Sequence, residues 1–88
     1  MLLLTAVLQT PVPDRARAEG LARDGRTVEA MDLFKQIVNL NPADVEARLW
    51  VARLALRLGR VDEAEGGFRS VLREHREDVD ARIGQAIP

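Results

Sequence analysis

The stretch "ADVEARL", residues 43–49, returns as "EDVDARI" at residues 77–83, a step of 34 positions. Asp44/Asp78, Val45/Val79, Ala47/Ala81 and Arg48/Arg82 are identical, while Glu46/Asp80 and Leu49/Ile83 are conservative exchanges. The same step relates Ala18 to Ala52, Arg23 to Arg57, Gly25 to Gly59 and Arg26 to Arg60. It continues through Glu29/Glu63, Ala30/Ala64 and Phe34/Phe68, with Lys35/Arg69, Ile37/Val71 and Val38/Leu72 similar. A period of this length marks a solenoid, in which each unit buries its apolar face by stacking on the next.

Each unit reads as two helices. From Asn41 the start signals are dense: Asn41 suits a cap, Pro42 the first helical position, and Asp44 the positive end of the helix. Val45, Leu49, Ala52 and Leu56 then recur at helical spacing, and Gly59 offers the left-handed residue that ends the helix. A second helix is predicted with Asp62 and Glu63 in its first turn and Ala64, Phe68, Val71 and Leu72 on its inner face. The preceding unit repeats the scheme, with Asp14 and Thr27 as caps and Gly25 as terminator. Its second helix carries Ala30, Phe34, Ile37 and Val38. The predicted order is 14–24/28–39, then 44–58/62–74, then a fifth helix over 78–86.

Gly25-x4-Ala30-x3-Phe34-x7-Pro42, with Ala52-x6-Gly59-x4-Ala64-x3-Phe68, resembles the tetratricopeptide repeat. The resemblance covers residues 11–88, as repeats 11–44 and 45–78 and a partial repeat 79–88. It implies an all-α fold, a right-handed α-solenoid of antiparallel helix pairs with five helices. The physical reasons agree: Ala18 and Ala52 permit close approach within a unit, Ala30 and Ala64 suit helix crossings, and Phe34 and Phe68 fill the space between units. Two features depart from the pattern. Leu21 and Ala55 stand where an aromatic is usual, and Arg76 replaces the proline that Pro42 provides.

Composition bounds the rest. In 88 residues, 47% are hydrophobic, 31% charged and 3% aromatic, a globular and helix-favouring profile. Thirteen basic and fourteen acidic residues leave a net charge of −1, which argues against nucleic acid as a partner. There is no cysteine, so neither disulfides nor thiolate metal sites arise. The first ten residues, "MLLLTAVLQT", are too short to span a membrane and are followed by "PVPD". They read equally as an apolar N-terminal arm packed on the domain or as a signal remnant. The first places the chain in the cytoplasm; the second places it in the periplasm or outside the cell.

No phosphate loop, nucleophile elbow or metal-spaced set is present, so neither a cofactor nor catalysis is expected. His75 fits a solvated helix end, and Asp62, Glu63 and Glu65 fit a solvated helix start. Trp50 fits burial between units better than an exposed anchor. Gly66-Gly67 inside a helix costs roughly 1 kcal/mol per glycine, which either a close backbone approach explains or the fold tolerates.

The resemblance implies a protein-interaction scaffold that holds a partner peptide or protein in a concave groove lined by the first helix of each unit. The corresponding residues are Arg15, Glu19, Ala22 and Arg23, then Glu46, Leu49, Arg53, Leu56 and Arg57, then Asp80 and Ile83. Arginines beside leucines suit a peptide with acidic and apolar groups. Leu49, Trp50 and Arg53 stand near the positions of the family's carboxylate clamp without its asparagine, so that clamp is not expected. Two alternatives remain: a self-associating structural module, or the N-terminal segment of a longer exported bacterial protein. Val79, Ile83 and Ile87 share a stripe, so the chain is expected to form a homodimer through an open C-terminal end or to cover that end with residues 1–8, unless it continues past Pro88.

Overall fold

The computed structural model describes the backbone of residues 14–86 and the side chains of residues 14–77. Four helices occupy this span: α1 (Arg15–Arg23), α2 (Thr27–Leu40), α3 (Val45–Arg57) and α4 (Val61–Ala86). The main contacts run between successive helices, α1 on α2, α2 on α3 and α3 on α4. That is the stacking order of an all-α solenoid. The apolar arm at residues 1–10 lies outside the described residues.

The two turns inside the units are twins. Gly25 and Gly59 hold φ values of 82° and 78°, the left-handed region where a side chain is strained. Around Gly25, Arg26 N–H donates to Leu21 at 2.9 Å and Gly25 N–H to Ala22 at 3.3 Å. Around Gly59, Arg60 N–H donates to Ala55 at 2.9 Å and Gly59 N–H to Leu56 at 3.0 Å. Both are Schellman ends, which satisfy carbonyls that the finished helix leaves without a partner.

The helix starts differ from expectation at two places. Asp14 caps α1 as expected, accepting from Ala16 N–H at 3.0 Å. Thr27, however, does not cap α2. The flanking residue is Arg26, with no side-chain cap, because the Schellman turn brings the chain into α2 one residue early. The second correction falls on α3, which is capped by Asp44 rather than Asn41. Pro42 biases Asn41 away from helical backbone, and Asn41 Oδ1 accepts from Ala43 N–H at 3.2 Å. The chain therefore turns before the helix can start, and Asp44 accepts from Ala47 N–H at 3.0 Å.

The largest correction concerns the fifth helix. Residues 61–86 form one helix of 26 residues, not two. At the positions that match Asn41-Pro42 stand His75-Arg76. Arg76 has the N–H that proline lacks and no ring to clash with the preceding turn, so nothing interrupts the hydrogen-bond ladder. His75 is accordingly exposed within a helix rather than at its end.

The core is rich in small residues and draws equally on both units. Ala18, Ala30, Phe34, Ala47, Leu54 and Ala55 are fully buried, and Ala22, Met31, Ala52 and Ala64 nearly so. Along α3 the buried face runs through Ala47, Leu54 and Ala55, with Trp50, Val51 and Leu58 packed beside it. Of the expected stripe only Ala52 is buried, while Val45 and Leu56 are 44% and 54% exposed. An α-helix between two neighbours buries two faces, and small residues fill the tighter one. Leu72 also departs from its expected inner position and is 64% exposed.

Gly66 and Gly67 separate on the same ground. A Cβ at Gly67 would lie 3.1 Å from the Cβ of Ala52, whereas one at Gly66 would meet open space. Gly67 thus permits the close approach of α4 to α3, and Gly66 does not.

Candidate functional site

The repeated residues of the heptapeptide hold the helices together. Asp44 caps α3 and also receives the Arg15 guanidinium from the start of α1. The Ala47 N–H bond holds the Asp44 carboxyl below its ordinary range, and Arg15 adds to this against the opposing effect of burial. Arg15 Nη1 also lies 3.2 Å from Glu46 Oε2, off the hydrogen-bond line, so charge attraction alone joins them. Ala47 is fully buried. Arg48 donates to Glu74 and, at 2.7 Å, to the Ser70 hydroxyl, fastening α3 to α4. Lys35 and Glu63, 3.2 Å apart, fasten α2 to α4.

Of the residues expected in the groove, the structure brings the central ones together. Leu49, Arg53, Leu56 and Arg57 lie at i, i+4, i+7 and i+8 on α3 and so share one face. Arg53 and Arg57 are exposed and Leu49 is half-buried. Arg57 Nη1 reaches across to α1 and donates to the Ala22 carbonyl at 3.1 Å. The positive group thereby meets the negative end of α1, next to the exposed Arg23. Arg53 lies 5.7 Å from the Trp50 ring centroid, a cation–π distance.

The other members are placed differently. Arg15 and Glu46 are joined to each other, and Arg15 to Asp44, so their charges are largely answered within the protein. Glu19 is half-buried, and Ala22 is too buried to touch a partner. Asp80 and Ile83 do not stand on a separate fifth helix as expected. They belong to α4, continuous with the turn that carries Phe68, and their side chains fall outside those described.

Trp50 is half-buried rather than a free anchor. Its ring stacks on Phe34 of the preceding unit, with centroids 5.0 Å apart and planes 5° from parallel. Asp62, Glu63 and Glu65 are exposed at the start of α4, as a solvated helix start requires. A separate crevice between α2, α3 and α4 is lined by Lys35, Val38, Arg48, Val51, Gly67 and Ser70 and holds none of the groove residues. Arg48 was visible in the sequence as one of the four identities in the repeated heptapeptide, but spacing alone gave it no partner.

Antiparallel helix pairs that repeat every 34 residues and stack in sequence define a helical-repeat protein, of a kind that generally mediates protein–protein interaction. The tetratricopeptide repeat family model matches residues 21–86, and the chain belongs to that family. It is also similar to the cellulose synthase operon protein C of Pseudomonas fluorescens (strain SBW25), at 39% identity over 62 residues. That match covers 70% of this chain but 5% of the relative, so the chain spans a small part of the relative's length. No solved structure matches. Among the described residues, no helix is long and apolar enough to cross a membrane.

Proposed function

We propose that the chain is a protein-interaction scaffold whose ligand is an acidic, aliphatic peptide segment held along α3 and the end of α1. One observation carries this reading. Leu56, 54% exposed, sits between Arg53 and Arg57 on a face that Arg57 joins to α1. Exposed leucine flanked by arginines offers an apolar anchor beside groups that grip carboxylates in a fork. Arg57 spends one donor on the Ala22 carbonyl, and a guanidinium has five, so it stays able to take a carboxylate.

The test uses the protein's single tryptophan as a reporter, since Trp50 lies under Arg53. Peptides that combine glutamate or aspartate with leucine are titrated in, and Trp50 emission is followed at two salt concentrations. Arg53→Glu with Arg57→Glu should keep the helical signal, weaken binding and flatten its salt dependence. Equal affinity in the double variant would rule out the strip as the binding site.

A narrower second reading rests on the 39% match. On it, this repeat pair serves as one segment of a longer protein similar to the cellulose synthase operon protein, and its ligand is another protein of cellulose synthesis. Replacing the matching segment of that relative with this chain should then preserve the relative's function.

A further inference from the structure

The crevice between α2, α3 and α4 lies where the second unit lacks a side chain that the first unit has. Leu33 of α2 and Gly67 of α4 hold the same position, 34 residues apart. Leu33 is half-buried and packs against the core. Gly67 borders the crevice and brings only backbone to it. An isobutyl group is therefore missing beside a hollow of about 280 Å³. Val38 and Val51, both half-buried, form its apolar walls.

Three polar groups stand around the same hollow, and each has a donor to give. Ser70 Oγ accepts from Arg48 Nη2 at 2.7 Å, so the hydroxyl proton is left to donate. Arg48 has five N–H donors, of which Ser70 and Glu74 take one each. Lys35 Nζ lies 3.2 Å from Glu63 Oε1, but the ammonium group has three donors and its side chain is 44% exposed. Glu63 and Glu74 are not among the residues that line the hollow, whereas both cations are. The lining is thus apolar between two positive groups, with a hydroxyl beside one of them. Such a lining suits an aliphatic group that carries one carboxylate close to it.

We infer that the crevice binds the C-terminal residue of a partner polypeptide, a leucine or valine. Its aliphatic side chain fills the space that Gly67 leaves beside Val38 and Val51. Its terminal carboxylate takes the Ser70 hydroxyl and the Lys35 and Arg48 cations. Anion and methyl groups must share one small hollow, and a terminal carboxylate is joined to the same Cα that carries the side chain. The carboxylate of an aspartate or glutamate belongs to a different residue from the aliphatic group and stands farther from it. The hollow is open to solvent on one side, which lets the rest of the partner chain leave. This site shares no residue with the strip formed by Arg53, Leu56 and Arg57, and it stands or falls separately from that strip.

Amide NMR of the 88-residue chain, titrated with the peptide Gly-Ser-Gly-Ser-Leu, tests the site. The expected result is a saturating set of shifts at Val38, Val51, Gly67 and Ser70 that weakens as salt rises. Amidation of the peptide C-terminus, or glycine in place of its leucine, should weaken binding roughly tenfold. Lys35→Gln and Ser70→Ala should each weaken it several-fold, with helical content retained. Gly67→Leu puts the missing side chain back and should abolish binding. A Cβ at that position lies 3.1 Å from the Ala52 Cβ and presses on α3, so Val38→Glu gives an independent block by charge repulsion. Arg53→Glu with Arg57→Glu should leave binding unchanged, which separates this site from the groove. An amidated peptide that binds as well as the free acid would overturn the proposal. So would 4-methylpentanoate binding as tightly as the peptide, because the occupant would then be a free acid rather than a chain end. Absence of shifts at about 1 mM peptide would overturn it as well.

Discussion

Phe34 and Phe68 hold the same position in successive units, yet Phe34 has no exposed surface and Phe68 is half-buried. The local chemistry around them is alike. Each follows a Schellman turn at a left-handed glycine, and each stands four residues after a buried alanine. What differs is the next element. Asn41-Pro42 turns the chain back so that α3 lies on α2 and Trp50 stacks on Phe34. His75-Arg76 lets α4 run on, so among the described residues nothing of that kind returns to cover Phe68 and Leu72. A repeat's burial is thus decided by the turn that follows it more than by its own side chains.

The sharpest way to break this comparison is truncation of the two rings. Phe34→Ala should destabilise the fold by about 3–5 kcal/mol, since it empties a fully buried site and removes the stack on Trp50. Phe68→Ala should cost less than half as much. Urea unfolding followed by helical circular dichroism measures both. Equal losses would mean that the second unit is covered as well as the first.

The junction itself comes next. Arg76→Pro removes one ladder bond inside α4 and should cost about 3 kcal/mol locally, ending the helix before His75. Amide exchange should then show residues 77–86 losing protection while α2 and α3 keep theirs. Uniform protection would show that α4 is already interrupted there.

The glycine turns are where the two units should behave alike. Gly25→Val and Gly59→Val each force a β-branched residue to a φ near 80°, at a cost of roughly 1–3 kcal/mol. No neighbouring atom crowds either position, so the strain is in the backbone alone. The two melting temperatures should fall by similar amounts. A much smaller drop at one site would mark its turn as able to rearrange.

The smallest effect belongs to Asp44. Its carboxyl is held below the ordinary range when folded, so the folded state binds that proton less tightly than the unfolded state. Its stabilising contribution is complete above the ordinary carboxylate value and is lost as pH falls through the lowered one. Asp44→Asn keeps a competent cap and should lose about 1 kcal/mol or less near neutral pH. It should also flatten the acid limb of stability against pH. An unchanged acid limb would mean that another carboxylate dominates it.

The repeated heptapeptide shows how far sequence reasoning reached. Asp44 proved to be a cap, Ala47 a buried contact and Arg48 a clamp onto α4. Their recurrence at 34 residues announced a repeat without announcing those roles. Gly25 and Gly59 were legible because a left-handed turn tolerates few other residues. The shared face of Leu49, Arg53, Leu56 and Arg57 was legible from helical spacing. The ion pairs of Arg15 and Arg48 were not, because each joins residues more than twenty positions apart.

Period, helix pairing and the positions of the turns within units were determined by the sequence, through spacing and local backbone preference. Both are short-range properties, written in residues a few positions apart. Tertiary structure decided which faces are covered. Val45 and Leu56 are as apolar as any core residue, yet both lie exposed because α2 and α4 take the other sides of α3. It also decided that α4 outruns its unit. Burial depends on which helix arrives alongside, and that is settled by packing between elements rather than by the pattern within one.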